Sequence, residues 1–233
     1  QVLNFSSAGK FGKGKNQSLD LEIAASNNQV NLFSTRDLSN DDGAAGKLGY
    51  KWKPKLKRAK FELAAAYQFN NPGFSTVERV FAVEFARDWN LPLNYQGPLQ
   101  NAVLDLKLKL DSVLLRSQTQ ILNSPLKEGW RQTLALAWQD SLWIGSVKTS
   151  ITETEGLLLR ERFWREQLET RYYLKPNIWL GLKSIGEWNR KEISRDSLAA
   201  NSYSFLEYQV FQGFGDTNST FLELGFLQRY DDS

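Results

Sequence analysis

The sequence predicts an almost all-β chain, an antiparallel up-and-down meander of roughly 12 strands. Three observations predict it. Apolar and polar residues alternate with a period of two. The connections between alternating runs fall into a short and a long class. Tryptophans gather where runs start and end. A period of two puts every second side chain on one face of a strand, whereas a helix would scatter the same residues around its axis.

Taken in order, Leu19, Leu21 and Ile23 alternate with Asp20, Glu22 and Ala24. Phe61, Leu63, Ala65, Tyr67 and Phe69 alternate with Lys60, Glu62, Ala64, Ala66 and Gln68. Phe81, Val83 and Phe85 form another apolar row against Ala82, Glu84 and Ala86. The cleanest case sets Leu104, Leu106, Leu108 and Leu110 against Asp105, Lys107, Lys109 and Asp111. Residues 102–122 fit either one long strand bulged near Asp111 and Ser112 or a tight hairpin there. The single strand is preferred because it keeps all short turns at one end. Leu134, Leu136 and Trp138 share a side, and Ile178, Leu180 and Leu182 face away from Trp179, Gly181 and Lys183. Residues 203–211 and 220–228 complete the set. Residues 157–174 also place Leu157, Glu161, Trp164 and Leu168 at helical spacing, and a strand is expected there nonetheless.

Short connections carry Pro, Gly, Lys or Asn at 13–16, 53–58, 139–141, 175–177 and 215–219, while longer polar ones span 34–46, 70–78 and 189–202. Residues 90–101 break the pattern as a longer connection at the short-turn end. Trp52, Trp89, Trp130, Trp138, Trp143, Trp179 and Trp188 all lie beside predicted connections, and only Trp164 lies within a run. An indole favours a membrane–water boundary, apolar body inward and N–H outward. One-sided strands, asymmetric connections and end-placed tryptophans together predict a transmembrane β-barrel, or a portion of one, as a single domain over 1–233.

Composition agrees. Of 233 residues, 41% are hydrophobic and 13% aromatic, which suits a wall that is apolar on one side only. Mean hydropathy is -0.46, and no apolar run is long enough for a membrane-crossing helix. A barrel strand needs only about 9–11 residues, every second one apolar. Net charge is +3, with 29 basic and 26 acidic residues interleaved, so no basic stripe for nucleic acid emerges. There is no Cys, His or Met. That excludes disulfides, thiol chemistry, Ser-His-Asp triads and imidazole metal ligands. With Gln1 first, no Met and no terminal aromatic after Tyr230, the chain is expected to be part of a longer one.

Two stretches carry a resemblance. The aromatic pair Tyr172-Tyr173, then Leu174-Lys175-Pro176-Asn177 and Ile178-Trp179-Leu180-Gly181, resembles hairpins of Gram-negative outer-membrane β-barrels. The run from Phe81 to Asn90, after Asn40-Asp41-Asp42-Gly43, is similar to large outer-membrane proteins of the Bacteroidota. The resemblance implies a bacterial outer-membrane location, with lipid and lipopolysaccharide as surroundings and other outer-membrane subunits as further partners. It carries over no catalytic residue and no cofactor.

Glu84, Asp105, Lys107, Lys109 and Asp111, with Arg87 and Asp88 beside them, are the candidates for a polar lumen. A solvent-facing sheet surface would use the same residues. Asp37 to Gly43 superficially matches a calcium loop, but its sixth and twelfth positions hold Asp42 and Leu48 instead of Gly and Glu, so a solvated loop is expected. No spacing singles out a carboxylate pair, so no enzyme is expected, carboxylate-only glycoside hydrolysis being the remote alternative. Three functional expectations remain: a pore or transport barrel, a non-conducting subunit of an outer-membrane complex, and a soluble extracellular or periplasmic β-sheet binding protein.

Overall fold

The computed structural model describes residues 2–27, 42–74, 97–156, 159–194, 197–199, 202–215 and 220–232, together with Phe85, Trp89, Leu91 and Tyr95. Its thirteen strands are β1 (Val2–Phe11), β2 (Gln17–Asn27), β3 (Asp42–Trp52), β4 (Ala59–Asn70), β5 (Leu99–Leu110), β6 (Val113–Asn123), β7 (Lys127–Gln139), β8 (Trp143–Gly156), β9 (Arg160–Lys175), β10 (Ile178–Ser194), β11 (Ser197–Leu198), β12 (Tyr203–Gly215) and β13 (Phe221–Asp232). They form one antiparallel up-and-down sheet in chain order, with the two-residue β11 pairing only with β10. The sheet is not closed, and β1 and β13 are its edges. Of the ambiguous 157–174 region, residues 160–174 are strand, as the aromatic–turn–aromatic pattern predicts, and 157–158 lie outside the described residues.

Three elements differ from the sequence expectation. Residues 102–122 form a hairpin, not a single strand: Asp111 adopts a left-handed conformation at φ 46°, as a tight two-residue turn requires and a short Asp side chain tolerates. β10 runs on to Ser194, so residues 189–194 of the expected loop are strand, and Ser197–Leu198 form β11. Residues 2–11, which carry too little apolar alternation to be recognised, pair with β2 from Val2↔Ser26 to Phe11↔Gln17. The Phe81–Ala86 row, apart from Phe85, and the Asp37–Asp41 part of the acidic loop lie outside the described residues.

The chain divides into two compact units, one of Gln1–Lys53, Leu63–Leu104 and Gln120–Gly129, the other of Pro54–Glu62, Asp105–Thr119 and Trp130–Ser233. In the first, β1–β4 register puts Leu3, Phe5, Leu19, Ile23, Leu48 and Tyr67 on one face, all of them exposed. Ser6, Glu22, Lys47 and Gln68 share the other face. Residues after β4 fold over that polar face: Ser26 Oγ donates to the Gly73 carbonyl at 3.4 Å, and Asn70 Nδ2 donates to the Gly97 carbonyl at 2.9 Å. Trp89 and Leu91 are buried against Leu99 and Leu122, with Phe85 and Tyr95 packed beside them. By alternation Leu99 lies on the side of β5 opposite Leu104–Leu110. The unit's small apolar core therefore sits on the polar face.

The second unit repeats the inversion. Trp143, Val147 and Ile151 of β8 align with Tyr172, Leu168 and Trp164 of β9. The same face continues through Leu180 and Leu182, Val210 and Leu206, then Leu224 and Phe226. Phe226 is 66% exposed, Leu224 62% and Val210 54%. On the opposite face Ser150, Thr152, Thr154 and Glu161 are buried. Apolar out and polar in is the reverse of a water-soluble core.

Candidate functional site

The apolar face of the second unit is bounded. Near the β9–β10 turn, Trp143 and Tyr172 pack with ring centroids 4.8 Å apart. Near the other end, Trp164 and Trp188 pack at 4.9 Å. From Tyr172 to Trp164 is eight residues, about 27 Å along a strand at ~3.4 Å per residue. A strand tilt of roughly 40° reduces that to about 21 Å, close to the ~25 Å apolar band of a membrane barrel. Trp138, seated over Gly145 of the same face, and exposed Trp130 repeat the eight-residue spacing on β7. Just past Trp164 and Trp188 the face turns charged, with Glu153, Arg162 and Arg190 in one row. Between the aromatic rows of β8–β10, Glu166 is the charged residue on this face.

Polar atoms on this face find one another. Gln132 accepts from Thr119 Oγ1 at 2.5 Å and donates to Ser117 Oγ at 3.0 Å. Tyr208 donates to Gln228 at 2.7 Å, and Trp164 Nε1 donates to Thr149 Oγ1 at 3.0 Å. Such pairing removes most of the cost of holding a polar group away from water.

The polar face carries ion pairs along its length. Arg171 Nη2 reaches Glu169 at 3.0 Å and Glu223 at 3.5 Å, and Lys183 lies 4.0 Å and 3.9 Å from the same two carboxylates. Arg165 pairs with Glu187 at 2.9 Å, and Lys191 with buried Glu161 at 3.7 Å. Arg229 stacks over Phe205 at 4.0 Å, and Lys183 over Phe211 at 4.8 Å. Two adjoining hollows of about 630 and 430 Å³ open here, sharing Leu114, Ala137, Ser146 and Glu169.

No family model, curated protein or solved structure matches the chain. Its reading rests on this geometry.

The lumen candidates are placed as follows. Asp105 binds Arg116 of β6 through Nε at 3.1 Å and Nη2 at 2.5 Å, with Lys107 3.9 Å away. Lys109 and Asp111 line the larger hollow. Glu84, Arg87 and Asp88 lie outside the described residues. Of the boundary tryptophans, Trp130, Trp138 and Trp143 lie on the apolar face near strand ends, and Trp52 does so in the first unit, opposite Gln17 and Leu63; Trp188 is on the apolar face but inside β10, which runs on to Ser194 where a loop was expected. Trp89 and Trp179 are buried instead, at 1% and 0% exposure. Trp179 lies on the polar face over Gly213, between Tyr173 and Phe221. Trp164, read as mid-strand, completes a boundary pair. The β9–β13 ion-pair network escaped sequence reasoning, although Arg165, Glu169 and Arg171 share a strand parity that could have flagged it.

Proposed function

We propose that the chain is the wall of a bacterial outer-membrane β-barrel of the pore or transport class, its apolar face against lipid and its ion-paired face lining an aqueous lumen. The observation that carries this reading is the inverted wall: a continuous exposed apolar face, bounded by aromatic pairs eight residues apart, backed by a face of buried polar and paired charged groups. Exposed apolar surface of this extent marks a membrane or partner contact. A soluble sandwich would cover it with a second layer, and the described residues supply none. In lipid both sheet edges must find backbone partners, so the reading requires β1 and β13 to be paired in the membrane.

The test is reconstitution of the full chain. It should need detergent to stay in solution, insert into lipid vesicles with protected strands, and give stepwise conductance in planar bilayers. A chain that stays monomeric in plain buffer would overturn the membrane reading. A second reading, a non-conducting scaffold of an outer-membrane complex, draws on the apolar cluster of Trp89, Leu91, Leu99 and Leu122 on the polar face. Insertion without conductance would favour it.

A further inference from the structure

We propose that the two adjoining hollows on the polar face bind small oxyanions of the phosphate class, with Lys148 as the central cation. The inference deepens the reading of this face as a water-facing wall, and its binding test does not require a pore. The smaller hollow brings together Arg116, Lys148 and Lys183 from three strands, with Gln167 and Ser146 between them, against a single carboxylate, Glu169. The larger adds Lys109 and Arg171 against Asp111.

Pairing does not use up this positive charge. Glu169 and Glu223 are shared by Arg171 and Lys183, and Asp105 is shared by Arg116 and Lys107. Glu62 also acts on Arg116, while Lys109 and Lys148 have no ion pair among the described residues, with Asp111 lining the larger hollow beside Lys109. Lys148 stands opposite Gln167, a neutral neighbour that can donate to an oxyanion. Each hollow has room for an oxyanion with several waters, each water occupying about 30 Å³. Clustered cations in a concave low-dielectric wall also concentrate anions from solution.

The experiment titrates inorganic phosphate into the full chain refolded in non-ionic detergent at low ionic strength, read by calorimetry. Saturable binding is expected, with sulfate competing. Lys148→Gln should weaken it roughly tenfold, the effect of losing one charge-assisted hydrogen bond, while Lys148→Arg retains it. Both variants change an exposed side chain and should keep the wild-type strand signal. No saturable binding, or an affinity indifferent to Lys148→Gln, would overturn the site. Binding in detergent with no conductance in bilayers would remove the pore and leave the site standing.

Discussion

Gly213 and Gly181 leave space that aromatic rings fill. A Cβ at Gly213 would sit 1.9 Å from the Trp179 ring, and one at Gly181 would sit 2.0 Å from Phe211. Since Trp179 faces Gly213 and Gly181 faces Phe211, the two strands lock by exchanging rings for glycines. Gly213→Ala must displace an indole that is fully buried, so a loss of about 1–3 kcal/mol is expected, read as a lower urea midpoint in detergent. Trp179→Ala empties the site and should cost roughly 3–5 kcal/mol. Trp179→Phe should cost much less, because the indole N–H is buried without a partner and its removal abandons no hydrogen bond. Equal losses for Phe and Ala would show that the ring is not what packs here. The sequence already held part of this: Trp179 shares parity with Gly181 and Lys183, which puts it on the polar face. Its place beside a turn argued for the boundary instead. Burial under a neighbouring strand's ring depends on cross-strand register, which one strand's pattern does not contain.

At the scale of elements, turns decide what alternation leaves open. The clean alternation from Leu104 to Asp111 does not mark where the chain reverses, so the β5–β6 hairpin rests on one left-handed residue, Asp111. Strand interiors were legible because one face is consistently apolar. β1 was not, because Ser7 and Gly9 interrupt its apolar row. The β7–β8 hairpin has a more explicit device. Asp140 Oδ1 accepts the Leu142 and Trp143 backbone N–H groups, each at 2.7 Å, while Asp140 N–H donates to the Trp143 carbonyl at 2.8 Å. Those two bonds favour the ionised carboxylate and hold its pKa below the usual aspartate value. With the folded pKa depressed, the stabilisation of the turn is complete above the unfolded-chain pKa and disappears as pH falls through the folded one. An NMR titration should therefore place the Asp140 midpoint below the ordinary aspartate value, with the Leu142 and Trp143 amide shifts following the same curve. Asp140→Ala should abolish that shared titration and speed exchange at both amides. A midpoint at or above the ordinary value would contradict the bonded turn.

At the scale of the whole molecule, the question is which solvent each face meets. Period-two alternation revealed two unlike faces, but a half-buried soluble sheet alternates in the same way. What the sequence could not carry is the assignment of burial. Val210, Leu224 and Phe226 stand exposed while Thr152, Thr154 and Glu161 are buried, and that follows from how strands stack side by side. One substitution separates the two solvents. Val210 is mid-strand in β12, in the row of Leu182 and Phe226, whereas Phe214 lies beside the terminal pair Ile178 and Leu222. If the face meets lipid, Val210→Arg should lose roughly 2–4 kcal/mol of stability in vesicles, and Phe214→Arg only about 0–1, because the cost of a charge falls from the midplane to the interface. If the face meets water, an exposed Val210→Arg should be close to neutral, within about 0.5 kcal/mol, and should reduce aggregation. Reversible urea unfolding from vesicles, followed by tryptophan emission, measures both variants. A depth-dependent penalty supports the lipid-facing wall. A flat, near-zero response at both positions would leave the apolar face as a surface for a protein partner, and the pore reading would fall with it.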